Sequence, residues 1–277
     1  CGVDVFDKAD DPEAFRAMFT IRGKALYPQM DFLFQMMEEI LNTSKITDTK
    51  RLYEIIAEIK SRGQASLIGS GHQTAVLRGA SYGSPMARFQ DEMAGVGYYK
   101  FIEDLEKNFQ DKKAEIVAGL ENAMAEIIRR DSFMVSYTGE RESVEQLKAL
   151  SGSLKKSLKE SSCQVPEVAI TCEKKNEGFK TSGQVQYVAR TGNFVKKGFT
   201  YTGALEILKV ALSYDYLWIN LRVKGGAYGC MSGFKRSGER FFVSYRDPPL
   251  RRTLEAYEGV PEYVRTFPAD EREMTKY

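Results

Sequence analysis

Apolar residues recur along this chain with two periods, and each change of period marks an element. Alternation over Gly2 to Phe6 and Phe15 to Ala25, with Phe15, Ala17, Phe19 and Ile21 on one face, predicts two strands joined as a hairpin by an Asp-rich loop. Helical spacing then takes over. Leu33, Met36, Met37, Ile40 and Leu41 predict a helix over Pro28 to Leu41, and Leu52, Ile55, Ile56 and Ile59 predict another over Thr49 to Ile59. The pattern continues over Met93 to Phe109 and Asp111 to Arg129, and in a long helix carrying Val144, Leu147, Leu150, Leu154 and Leu158. Between the last two, Asp131 to Tyr137 (containing FMVSY) reads as a strand. The polar break from Glu160 to Pro166 is the candidate linker.

Beyond the break, two strands are predicted near Glu167 to Cys172 and Phe179 to Arg190. They precede a helix from Thr202 that is apolar almost all round (Leu205, Ile207, Leu208, Val210, Leu212, Leu217) and so is expected to be buried. Gly225 and Gly226 stop this helix, because glycine accepts the left-handed backbone of a helix end. Tyr228, Cys230, Ser232 and Phe234 then alternate as a strand, Lys235 to Gly238 supply a turn, and Phe241 to Tyr245 return. Asp247 is expected to cap a helix with Pro248 and Pro249 at its first positions, and Pro261 to kink or break it. Each half thus offers a hairpin followed by an amphipathic helix, without strict βαβ alternation. The expectation is an α+β fold of two related domains, residues 1–160 and 161–277.

Composition narrows the function classes. With 277 residues, 43% hydrophobic and 28% charged, the chain reads as globular, and a formal charge of +2 leaves no electrostatic footprint for nucleic acid or an anionic membrane. No apolar run reaches the roughly 20 residues of a membrane span. Four cysteines (Cys1, Cys163, Cys172, Cys230) without CxxC spacing point to a reducing compartment, hence a cytoplasmic protein. The start at Cys1 and the unfinished helix near Asp270 read as cut points in a longer chain, the second domain being truncated at its C-terminus.

Candidate chemistry is sparse. His72 is the sole histidine, and Gln73 and Thr74 follow it with no acidic residue within a turn. It reads as a satisfied structural histidine, and no metal site is predicted within the chain. The preceding Gly69-Ser70-Gly71 has the outline of a phosphate loop but lacks the preceding strand and a following GK[ST], so close packing is the preferred reading. Arg222 and Tyr228 flank the double glycine, and together they form a donor pair for an oxygen-rich ligand beside exposed backbone.

The segments TGALEILKVALSYDYLW, LRVKGGAYG and SYRDP, with GHQTAVLRGASYGSPMARFQDEMAGVGYYKFIEDLEKNF upstream, resemble the C-terminal half of the insulinase-type (inverzincin) zinc metallopeptidases, most closely the presequence-protease-like subfamily. The resemblance covers essentially the whole chain. It implies insulinase-type α+β domains, a peptide substrate enclosed in a chamber, and an N-terminal catalytic half of the same polypeptide that holds the zinc on an inverted H-x-x-E-H helix, a motif missing here. It also implies roles for residues. Arg222 would orient the substrate carbonyl and Tyr228 would donate to the charge developing on it, with Gly225 and Gly226 lining the binding turn. Zinc would be a cofactor of the full-length protein only, and this stretch alone would be inactive. Rival readings are a non-catalytic subunit of the same superfamily and a phosphate or nucleotide binder using Gly69 to Gly71 or Gly225 to Gly229.

Overall fold

A computed structural model describes residues 1–8, 11–160, 169–267 and 270–276. The architecture is α+β, with helices predominating over two small sheets. One sheet is the pair β1 (Gly2–Lys8) and β2 (Asp11–Thr20), the hairpin expected from the alternation at the start of the chain. Chain contacts divide the molecule into two compact units. One comprises residues 1–4, 18–58 and 103–168; the other comprises 5–17, 59–102 and 169–277.

In the first unit, α1 (Met30–Thr43) and α7 (Val144–Ser157) lie side by side and parallel. Gln146 Nε2 donates to Asp31 Oδ2 (3.1 Å) near one end and Asn42 Nδ2 to Ser157 Oγ (3.3 Å) near the other. Met30, Leu154 and Leu158 are buried there. Phe109 opens α6 (Phe109–Ile127) and packs on Tyr53 of α2 (Thr49–Gly69), ring centroids 5.2 Å apart. The strand predicted at Asp131 to Tyr137 does not form. Met134 and Val135 are exposed, and no strand among the described residues pairs with the segment, so nothing satisfies an extended backbone there. The predicted linker lies, from residue 161 on, outside the described residues.

The second unit is built on the sheet β3 (Ala189–Asn193), β5 (Glu239–Tyr245) and β4 (Gly229–Phe234), antiparallel throughout. The strand expected over Phe179 to Arg190 begins only at Ala189. Before it, Gln186 and Asp247 exchange backbone bonds of 3.0 and 2.9 Å just past the end of β5, and no partner remains for residues upstream. Residues 169–172 are likewise irregular. Helix α3 (Gly71–Ala80) packs on β3 and β5, and is followed by α4 (Pro85–Ala94) and α5 (Val96–Lys107).

The long apolar helix is α8 (Ala204–Ala211) continued by a π-helix, Leu212–Val223. Leu212, Leu217 and Leu221 are buried with Val188, Ala227, Phe242, Tyr257 and Val260 as the core, and the Tyr257 hydroxyl donates to Val188 O (2.9 Å). Burial all round is not observed. A sheet of three strands covers one side only, leaving Ile207, Tyr214, Trp218 and Val223 exposed. After β5, α9 (Leu250–Glu258) starts beyond both prolines. Asp247 does not cap its backbone but accepts the Thr253 hydroxyl (2.5 Å). Pro261 does break the helix, opening α10 (Val260–Thr266). A short α11 (Glu271–Lys276) ends the described chain. Among the described residues no helix is long and apolar enough to cross a membrane.

One buried ionic knot joins α3, α4 and α5. Asp91, fully buried, accepts from Arg78 Nη1 (2.7 Å) and from the N–H groups of Val96 (3.0 Å) and Gly97 (3.2 Å) that open α5. Arg78 also clamps Glu177 (Nε to Oε2, 2.9 Å), and Tyr82 donates to the same carboxylate. The Arg78 guanidinium, and then the Tyr82 hydroxyl, hold the Glu177 carboxyl down from 4.5 to about 2. Its folded-state pKa is depressed, so the stabilisation is complete above pH 4.5 and lost as pH falls toward 2. The Glu177→Gln variant is therefore expected to be less stable than wild type at neutral pH. The gap in unfolding midpoint should close in acid between those two values.

Candidate functional site

The turn between the π-helix and β4 is a Schellman cap. Ala227 N donates to Leu221 O (2.9 Å) and Gly226 N to Arg222 O (3.0 Å), with Gly226 at φ +84° and the buried Ala227 beside buried Leu221. Tyr228 N then bonds to Tyr245 O (3.0 Å), which starts the β4-β5 pairing. The helix end thereby brings Arg222, six residues upstream, onto Tyr228. Arg222 Nη1 donates to Tyr228 O, and its guanidinium carbon lies 4.3 Å from the Trp218 ring centre and 5.3 Å from that of Tyr228. A guanidinium stacked between aromatic faces keeps its orientation and loses little freedom on binding.

Arg222 makes no ion pair among the described residues. Tyr228 is 63% exposed, and its hydroxyl has no partner among them. The pair therefore presents unused donors toward the open face of the turn. The backbone of Gly225 and Gly226 does not add to them as an anion cradle, because the N–H groups of residues 226, 227 and 228 already bond to main-chain oxygens. That removes the basis for a phosphate site at this turn. Tyr245, whose ring lies 5.7 Å from Tyr228 and edge-on to His72 at 4.8 Å, links the pair to α3, a contact that sequence spacing does not indicate.

His72 is packed against these rings but is not satisfied. Its Nδ1 is buried without a hydrogen-bond partner, and burial lowers its pKa, which favours the neutral ring. No three His, Cys, Asp or Glu side chains converge among the described residues. The described residues therefore do not fit a zinc ion. Burial pushes the Cys230 thiol up to about 11, which makes it a poor nucleophile. Gly71 is a close-packing residue. A Cβ there would run into the ring of Tyr187, which is pinned by its hydroxyl bond to Ile68 O (2.5 Å). Gly71→Ala is expected to cost about 1–3 kcal/mol of stability, read by denaturant unfolding.

Comparison with known proteins agrees with this geometry. The family of domains associated with subfamily C of the M16 peptidases matches residues 1–105, and the family described as "PreP C-terminal domain" matches residues 176–277. Protein HypA of Clostridium perfringens is 37% identical over 276 residues, covering 100% of this chain and 28% of that protein. Presequence protease 1, chloroplastic/mitochondrial, of Arabidopsis thaliana is 28% identical over 265 residues, 92% of this chain and 24% of the relative. The mitochondrial presequence protease of Yarrowia lipolytica is 28% identical over 257 residues, 88% of this chain and 25% of the relative. The chain thus spans about a quarter of the length of the curated relatives it matches. It belongs to the presequence-protease-like branch of the M16 peptidases and represents a stretch of their C-terminal half.

Proposed function

We propose that this chain supplies the substrate-carbonyl contacts of a zinc-dependent peptidase that degrades unstructured peptides in a closed chamber. The metal would be held by the N-terminal half of the same polypeptide. The observation that carries this reading is the Arg222–Tyr228 pair, an oriented guanidinium and an exposed phenol with donors to spare on one side of a capped turn. Arg222 donates to the backbone oxygen of the bound peptide and fixes its direction. The Tyr228 hydroxyl donates to that oxygen as negative charge grows on it, so its contribution is larger in the transition state than in the ground state. Gly225 and Gly226 carry no side chain that would keep the peptide from the turn. The stretch alone would hydrolyse nothing, since the described residues offer neither a metal site nor an activated nucleophile.

The two family matches lie in separate regions, which supports two related α+β domains, residues 1–160 and 161–277. Free thiols at Cys1, Cys172 and Cys230 suit a reducing, cytoplasmic location, whereas the mitochondrial and chloroplastic locations in the relatives' names are theirs. Hydrolysis of an unstructured peptide by the zinc-loaded full-length protein tests the reading. Cleavage abolished by a chelator and restored by zinc is expected. A folded, zinc-loaded protein that cleaves nothing would instead be a non-catalytic subunit.

A further inference from the structure

Arg246 is the one non-glycine residue with positive φ (49°) among the described residues; the others are Gly198, Gly226 and Gly238. The fold imposes this backbone whatever the side chain. Tyr228 N–H is shared between Tyr245 O and Arg246 O (3.3 Å), and the next residue, Asp247, is tied to Gln186 by two main-chain bonds. Glycine would take this conformation without strain, whereas a side chain is held there at a cost.

The side chain that is held there is exposed and stacks on the ring of Tyr245, guanidinium carbon to centroid 5.5 Å. No carboxylate pairs with it among the described residues. The adjacent Asp247 is fully buried and accepts from Thr253. Trp218, Arg222, Tyr228, Tyr245 and Arg246 thus form one continuous run in which two unneutralised guanidiniums flank a pair of touching phenol rings. Desolvated against aromatic faces, a planar guanidinium is best matched by a carboxylate, which it grips with two parallel bonds.

We infer that Arg246 binds a carboxylate of the peptide held at Arg222 and Tyr228, either an acidic side chain or the C-terminal group. This rests on the proposed function for its ligand class and assigns a specificity-determining residue beyond it.

The test measures peptide affinity by fluorescence anisotropy on the zinc-stripped full-length protein, so that binding is read without cleavage. Four labelled peptides differ in one Glu or Gln and in a free or amidated C-terminus. Arg246→Gly should weaken binding of carboxylate-bearing peptides roughly tenfold or more, leave the Gln amide unchanged, and leave the unfolding temperature equal or higher because strain is removed. Arg246→Lys should fall between. Loss of the effect on changing Glu to Gln assigns the side chain, and loss on amidation assigns the terminus. Equal weakening for all four peptides, no weakening, or no peptide binding by wild type overturns the inference. Carboxylate-selective binding by a zinc-loaded wild type that cleaves nothing would refute the hydrolytic reading while leaving this one intact.

Discussion

Tyr228→Phe in the zinc-loaded full-length protein is expected to lower kcat/KM about a hundred- to a thousandfold, the roughly 2.7 to 4 kcal/mol that an oxyanion donor contributes. The loss should fall on kcat, with KM nearly unchanged, because the hydroxyl acts on charge absent from the ground state. The fold should be indifferent to the substitution. The hydroxyl is exposed and unpartnered among the described residues, and a phenyl ring keeps the contacts with Tyr245 (5.7 Å) and Arg222 (5.3 Å). Steady-state kinetics on a quenched-fluorescence peptide, with an unfolding curve of each protein, would separate the two effects.

Asp91→Ala is expected to produce the largest loss of stability, about 3–5 kcal/mol, as for breaking other buried charge pairs. Removing the carboxylate leaves the Val96 and Gly97 N–H groups without their acceptor, and Arg78, whose side chain is 13% exposed, keeps only Glu177 as a carboxylate partner. The surroundings are shaped around this one side chain. Gly95 and Gly97 sit against it so closely that a Cβ at either would press on a carboxylate oxygen. The effect is read as a fall in denaturant midpoint. Asp91→Asn, which keeps one acceptor oxygen, should lose less.

Much of this architecture is legible in the chain, for identifiable reasons. The amphipathic helices α1, α5, α6 and α7 follow the 3.6-residue spacing of apolar residues, and the Schellman turn follows from the Gly225-Gly226 pair. Helix α4 escapes a search for apolar period although its signal is local. Ser84 accepts from Ala87 N (3.3 Å) as N-cap, and Pro85 takes the first helical position. The FMVSY segment has the composition of a strand, but pairing is a property of the partner, and composition cannot supply one. The π-helix is hidden for a different reason. Its buried leucines fall at 212, 217 and 221, a spacing of five then four that a search for α-helical period reads as ordinary amphipathicity.

The candidate site shows the same division. Arg222, Gly225, Gly226 and Tyr228 lie within seven residues, so one turn suffices to place them. Tyr245 and His72 join Tyr228 only through strand pairing and helix packing, and the knot of Arg78, Asp91 and Glu177 spans 99 positions, so neither is visible until the chain folds. The sequence neighbours of His72 suggest a satisfied side chain. In the fold its neighbours are the rings of Tyr187 and Tyr245, and its Nδ1 is left unbonded because aromatic faces offer it no donor.

The central claim is that Arg222 and Tyr228 act as one substrate-carbonyl clamp. A double-mutant cycle on the zinc-loaded full-length protein tests it most directly, with kcat/KM measured for wild type, Arg222→Ala, Tyr228→Phe and the double variant on one peptide. Arg222 both stacks on the Tyr228 ring and binds its carbonyl oxygen, so the predicted result is a large loss in each single variant and a double variant little worse than either. Single variants that cleave as fast as wild type at full zinc occupancy would contradict the account.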